Sequence, residues 1–181
     1  MYETKMTSKG ILSISEVNAL PAENFEWLFA NVIEHCPEAA PIVATKRPFS
    51  STEDLKRAFD EYLEKLDTNE KELVLLKHPD LAGKLAEDGK LTAESQNEQK
   101  IAGLDTMTKD DRQTLSNNNY LYKEKFRFPF IICARQNKVQ SILSGLETRL
   151  NNSRETELKT GIDEVKKICR VRIDDLVWPD L

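Results

Sequence analysis

The sequence predicts an all-α protein, a single-domain bundle of roughly eight or nine helices. Three observations carry this. Charged residues make up 31% of the 181 positions and glycine and proline are few, which leaves long stretches rich in Glu, Lys, Leu and Ala, all good helix formers. Apolar residues recur at three- and four-residue intervals through most of the chain, the spacing of one helix face. Only Phe128 to Ala134 has an extended pattern, and a lone extended segment has no partner with which to build a sheet. A chain of this length can bury about 70% of the surface that its unfolded form exposes, so one core suffices.

Residues 1–13 are polar, contain Gly10 and show no sustained period; they read as a flexible tail ahead of a domain spanning 14–181. Pro21 suits the first turn of a helix, and Phe25, Leu28, Phe29, Val32, Ile33 and Cys36 then mark an apolar stripe that runs to Pro37. Ser51 with Asp54 resembles a capping box and opens a second stripe of Leu55, Ala58, Phe59, Tyr62, Leu63 and Leu66. Shorter helices fit Glu70 to Lys77 and Thr92 to Ala102. A longer one fits Thr108 to Phe126, with Leu115, Tyr122 and Phe126 inward, and Val139, Ile142, Leu143, Leu146 and Leu150 mark the next. The last opens at Ser153 and runs to about Leu176, burying Leu158, Ile162, Val165, Ile168 and Cys169.

The net charge of -5 argues against nucleic acid; the basic and aromatic stretch from Tyr122 to Phe128 is too short and too mixed in sign to offset it. The three cysteines, Cys36, Cys133 and Cys169, are odd in number and far apart, which fits neither a disulfide framework nor a zinc site and implies a reducing compartment. No apolar run approaches the roughly 20 residues of a membrane span, and the first residues lack a signal-peptide core, so a soluble protein is expected.

Several positions point to chemistry. His78 precedes Pro79, whose ring disfavours helical geometry at the residue before it, so a helix ending near Lys77 presents His78 at its edge. Such a histidine is either a helix cap or an acid–base group that titrates near neutral pH. His35, beside the apolar stripe of the first long helix, has no polar constellation and is assigned no role. If Thr92 caps a helix, Ser95, Glu98 and Gln99 share one face and set a hydroxyl, a carboxylate and an amide side by side; a solvated polar face is the alternative. Arg172 falls on the apolar stripe of the last helix, and a buried guanidinium requires an anion, either Glu98 or a substrate; a snorkelling side chain is the alternative. Arg170, off that stripe, can stay in water. Pro129 keeps Phe128 out of helical geometry, which frees the following backbone N–H groups either to face a ligand or to pair within a buried connector. His78, Asp80 and Glu98 match no metal-cage spacing, and no metal is expected.

Four segments occur in a recognisable order: His78-Pro79-Asp80-Leu81-Ala82-Gly83, then Leu91 to Gln99, then Phe128 to Arg135, then Glu164 to Arg172. Together they resemble the 2-oxo-4-hydroxy-4-carboxy-5-ureidoimidazoline (OHCU) decarboxylase family over roughly Ile14 to Leu176. The resemblance implies the last step from urate to (S)-allantoin, a decarboxylation without a cofactor in which a ring C=N bond of the substrate serves as the electron sink. It implies His78, Glu98 and Arg172 as catalytic residues: His78 as the acid that engages the substrate hydroxyl, Glu98 orienting it, with either of the two as the actual proton donor, and Arg172 supplying positive charge to an anionic substrate. Substrate contacts are implied for Pro79, Ser95, Gln96, Asn97, Glu98, Gln99, Phe130, Ile131, Ile132, Cys133, Ala134 and Arg172. A homodimer is also implied, with Trp27 and Leu63 as candidate interface residues, as is a peroxisomal location. The closing Trp178-Pro179-Asp180-Leu181 is not a Ser-Lys-Leu address, so the cytoplasm is the alternative. Two other readings compete: a non-catalytic helical interaction module, and a lyase or hydrolase acting on a related cyclic ureide.

Overall fold

A computed structural model of the chain describes residues 11–179. Among them run ten α-helices: α1 (Ile14–Ala19), α2 (Ala22–Leu28), α3 (Ala39–Ala44), α4 (Thr52–Lys65), α5 (Thr68–Leu76), α6 (Lys84–Glu87), α7 (Ala93–Ala102), α8 (Lys109–Phe126), α9 (Val139–Arg149) and α10 (Arg154–Asp174). Short 3₁₀ turns occupy Leu104–Thr106 and Ala134–Gln136, and the described residues form no strand. The architecture is the expected all-α domain, with slightly more helices than expected.

Helix starts follow side-chain chemistry. Ser13, Ser51, Asp67, Thr92, Thr108 and Ser153 each accept the backbone N–H three residues on, which satisfies an amide that the helix itself leaves orphaned. The box expected at Ser51 closes one residue early, because the Asp54 carboxylate accepts the Ser50 amide at 3.0 Å. Helices α1, α3 and α6 escaped the sequence reading, since six, six and four residues are too short to display a period.

The long helix expected from Pro21 to Cys36 stops at Leu28. Val32, Ile33 and Cys36 are buried as expected, but from a chain of turns. The Asn31 side chain accepts the His35 amide at 2.8 Å and the Asn31 carbonyl accepts from Arg172, so neither continues a helical ladder. His35 has a positive φ of 52°, which ends the segment.

Helix α10 is the spine, packing on α4, α5 and α8. Its Gly161 lets α5 come close: a Cβ there would stand 2.9 Å from Leu75 Cδ1. On the other side Tyr122, Phe126, Phe128 and Phe130 form a ring cluster, with Tyr122 and Phe126 centroids 4.5 Å apart and Tyr122 edge-on to Phe130 at 5.4 Å. Residues 1–10 of the expected tail lie outside the described residues; Leu12 pairs with Val177, its N–H reaching Leu176 O at 2.9 Å. No described helix is long and apolar enough to cross a membrane.

Candidate active site

Helix α5 ends at Leu76, and the turn before Pro79 folds His78 back against it. His78 Nδ1 lies 2.9 Å from the Val74 carbonyl, a last-turn acceptor that the Lys77 N–H meets only at 3.3 Å. A carbonyl only accepts, so Nδ1 carries the proton and Nε2 presents its lone pair. Nε2 is buried with no hydrogen-bond partner among the described residues, and His78 lines a cleft of about 370 Å³ that includes the open mouth. Burial pushes the imidazole down to about 4, and the bond to Val74 and the Glu34 carboxylate only partly oppose it. The helix-capping reading of His78 is seen at Nδ1, and the Nε2 side leaves a bare nitrogen toward the cleft. With its proton affinity lowered, the ring is neutral at neutral pH instead of titrating there as the acid–base reading expected.

Arg172 is buried on α10 as its stripe position required. Its guanidinium forks onto Glu98, with Nε to Oε1 at 2.7 Å and Nη2 to Oε2 at 2.9 Å. Nη1 donates to Glu34 Oε2 at 2.7 Å and to Asn31 O at 2.8 Å, and Nη2 also donates to Ser95 Oγ at 3.3 Å. All five guanidinium N–H groups are thus used within the protein. Of the two anions expected for Arg172, Glu98 or a substrate, the structure shows Glu98, and a second carboxylate, Glu34, joins it. Arg172 offers no spare arm to an anionic substrate; it positions Glu98.

Glu34 is the residue that the sequence reading missed. It is 1% exposed and also accepts from Thr92 Oγ1 at 2.8 Å and Ser95 Oγ at 3.0 Å. Burial works against its charge, but Arg172 and the Thr92 hydroxyl outweigh that and hold its carboxyl below the usual range. The available signal was its place inside the apolar run Val32-Ile33-Glu34-His35-Cys36, where a carboxylate needs a partner.

Helix α7 presents Ser95, Glu98 and Gln99 to the cleft, three, six and seven positions after its Thr92 cap. Gln99 Oε1 accepts the Ala82 amide at 2.9 Å and so ties the segment after Pro79 to α7. Gln96 and Asn97, expected as substrate contacts, are exposed and outside the cleft, because the helix turns them away from the Ser95–Gln99 face. Pro79, Phe130, Ile131, Ile132 and Ala134 line the cleft as expected. Cys133 does not: it stands behind the wall, its N–H donating to Glu164 Oε2 at 2.8 Å, and burial pushes its thiol up. No backbone partner among the described residues takes the Phe130, Ile131 or Ile132 N–H. A wider groove of about 1580 Å³, likewise including its open mouth, lies between the residues after Asp80 and α8 and is mixed in charge, with Lys84, Arg112 and Lys123 facing Asp80 and Glu87. The polar residues singled out in the sequence gather instead at the smaller cleft, where the unpartnered imidazole nitrogen lies.

Comparison with known proteins gives the same assignment for the chain. The family model described as OHCU decarboxylase matches residues 18–174. The curated 2-oxo-4-hydroxy-4-carboxy-5-ureidoimidazoline decarboxylase of Amia calva is 41% identical over 92% of this chain and 95% of its own length. The one from Xenopus laevis is 41% identical over 91% and 94%. Among solved structures, an OHCU decarboxylase crystallised in the presence of (S)-allantoin superposes with a TM-score of 0.66 at 27% identity, covering 82% of this chain and 96% of that one. An (S)-allantoin synthase superposes with a TM-score of 0.75 at 18% identity over 92% of this chain, which spans 54% of that longer one and shares its fold. With a family model covering most of the sequence and close relatives matched nearly end to end, this chain belongs to the OHCU decarboxylase family.

Proposed function

We propose that this protein decarboxylates 2-oxo-4-hydroxy-4-carboxy-5-ureidoimidazoline to (S)-allantoin in urate degradation. The single observation that carries the reading is the His78 imidazole, held by Val74 with its bare Nε2 buried in the cleft that Glu98 lines. Relatives of the chain carry that decarboxylase name along nearly its whole length.

The bond between the ring and the carboxylate breaks and carbon dioxide leaves. Its electron pair becomes a double bond to the neighbouring ureido-bearing carbon, and the C=N pair moves onto the ring nitrogen, which takes a proton from water. His78 Nε2 accepts the hydroxyl proton as that oxygen becomes a carbonyl, and the imidazolium returns the proton to one face of the ureido-bearing carbon. That delivery sets the S configuration. His78 is base first and acid second, an order dictated by its low affinity for the resting proton. Glu98, immobilised by the Arg172 fork, accepts from ureido or ring N–H groups, while Phe130–Ile132 offer unpaired backbone N–H groups to substrate oxygens. Pro79, Phe130 and Ile168 supply apolar walls that exclude water.

The test is turnover of freshly generated urate-oxidation product, followed by circular dichroism. An (S)-allantoin signal that grows well ahead of the protein-free decay supports the reading. A helical interaction module would leave the decay unchanged, and an enzyme of a related cyclic ureide would act only on another ring; either result overturns it.

Assembly and compartment stand on family likeness. A homodimer is proposed, supported by Trp27 at 63% exposure; Leu63, the other residue expected there, is fully buried core and is withdrawn. Sedimentation equilibrium giving twice the 20.7 kDa chain mass would support the dimer, and the chain mass alone would exclude it. A peroxisomal location is proposed, with the cytoplasm as the alternative, to be settled by imaging the tagged chain.

A further inference from the structure

Behind the cleft lies a second buried ionic cluster that the proposed chemistry does not use. Glu157, 0% exposed near the start of α10, accepts from Asn152 Nδ2 at 2.7 Å, from the Tyr122 hydroxyl and from Arg149 Nε at 2.9 Å. Arg149 Nη2 is also 2.8 Å from the same carboxylate oxygen, at an angle too poor for a hydrogen bond. A buried ion pair of this kind is weak evidence for stability by itself, since desolvation offsets much of its attraction. Its geometry points elsewhere.

The other edge of the guanidinium grips the cleft wall. Arg149 Nη1 donates to the Ile131 carbonyl at 2.7 Å, and Arg149 Cζ sits 4.4 Å from the centroid of the Phe130 ring. Phe130 is held from another direction by the edge of Tyr122, whose hydroxyl is docked on Glu157. Two further bonds pin the next residue, Cys133 N–H to Glu164 and Asn137 Nδ2 to Cys133 O at 2.9 Å. The stretch from Phe130 to Cys133 is outside regular structure, so apart from the Gln136 N–H that bonds Cys133 O at its end, these side chains fix the direction of its peptides. With the Ile131 carbonyl bonded to Arg149, the following Ile132 N–H, trans to it in the same planar peptide, points in the opposite direction.

We propose that Arg149, docked on Glu157, is a positioning residue for the proposed reaction: it orients the Phe130–Ile132 wall so that its unpaired amides meet substrate oxygens. The inference rests on the proposed function above. Arg149 is a positioning residue and not a catalytic one, because it reaches the ligand only through the wall.

The experiment compares the wild-type protein with Arg149→Lys. Lysine preserves a charge for Glu157 but lacks the planar fork that spans Glu157 and Ile131 O together. The expected result is a folded protein whose KM rises tenfold or more with a smaller change in kcat, and whose Ile131 and Ile132 amide resonances shift. A folded Arg149→Lys protein with the wild-type KM and unshifted amides overturns the proposal, for it would mean that the cluster only supports the fold. If Arg149→Lys does not fold, Arg149→Gln with Glu157→Gln removes both charges together and leaves no lone buried ion. That double variant should show the same KM rise; wild-type KM, or loss of its fold as well, overturns the proposal. Absence of turnover by the wild-type protein would instead sink the functional reading, and the amide shifts would still report on the clamp.

Discussion

Glu34 and Arg172, 138 positions apart, meet at 2.7 Å in a place sealed from water, and their contact converts an arginine that looks ready for substrate into one spent on the protein. Arg172 holds two carboxylates, Glu34 and Glu98, and only Glu98 lines the cleft. The positive charge thereby fixes the rotamer of a recognition carboxylate. Arg172 is the one cation among the residues that line the cleft, and its N–H groups are all engaged by the protein, so the proposed reaction relies on the other lining groups and the wall amides for hydrogen bonding.

Removing Arg172 should therefore act on the fold first. Arg172→Ala would leave Glu34 and Glu98 buried together without a counter-ion, a loss of about 3–5 kcal/mol. Arg172→Lys keeps the charge but not the fork, and its urea midpoint should fall between those of the wild type and the alanine variant. An alanine variant with the wild-type midpoint would contradict the buried geometry.

His78→Asn should keep the helical fold while kcat/KM falls by 100-fold or more, about 2.7 kcal/mol of transition-state stabilisation. Asparagine is too short to reach Val74 O and the cleft together, so the helix end also loses about 1 kcal/mol. Allantoin formation and far-ultraviolet circular dichroism, measured on one preparation, separate the two effects. Retention of a third of the wild-type rate would take His78 out of the mechanism.

The pH dependence follows from the depressed His78 proton affinity. The free protein's kcat/KM should be flat through neutral pH and fall only as the pH approaches about 4; a resting acid would instead lose activity above about 6.5. Stability has the same sign. The unfolded chain binds the proton near 6.5 and the folded one only near 4, so the contribution of neutral His78 is fully present above 6.5 and is lost as the pH falls through that window. Its size is on the order of 3 kcal/mol, and denaturant midpoints of wild type against His78→Asn between pH 7 and 4 would expose it.

Gly161→Ala tests how the site is braced. The added Cβ would meet the head of Leu75, which is itself fully buried and has no room to withdraw. Overpacking costs about 1–3 kcal/mol, against less than about 1 kcal/mol gained from helix propensity, so the melting temperature should fall by roughly 2–4 °C. Because the Leu75 carbonyl accepts the His78 amide at 3.1 Å, kcat should fall as well. A melting point at or above that of the wild type would show that α5 can move off α10 freely.

The starts of α4, α7 and α10 at Ser51, Thr92 and Ser153 and the apolar stripes of α4, α8, α9 and α10 were legible in the sequence because each is a local matter, a hydroxyl three residues before an amide or a period that repeats for several turns. The same locality made His78 readable, since Pro79 dictates the backbone beside it. Arg172 could be placed in the core from its stripe alone, and a buried guanidinium implied a carboxylate partner. What the sequence could not supply was which carboxylate. Glu34 reaches Arg172 only because the chain leaves its helix at Leu28, and the apolar spacing of Phe29 to Cys36 suits a buried turn as well as a buried helix. The exposure of Gln96 and Asn97, the retreat of Cys133 behind the wall and the grip of Arg149 on Ile131 depend likewise on elements far apart in sequence. Short-range hydrogen bonds and periodicity determine where helices begin and which side faces inward; the choice of partners among buried charges is a long-range energy, and only the packed chain decides it.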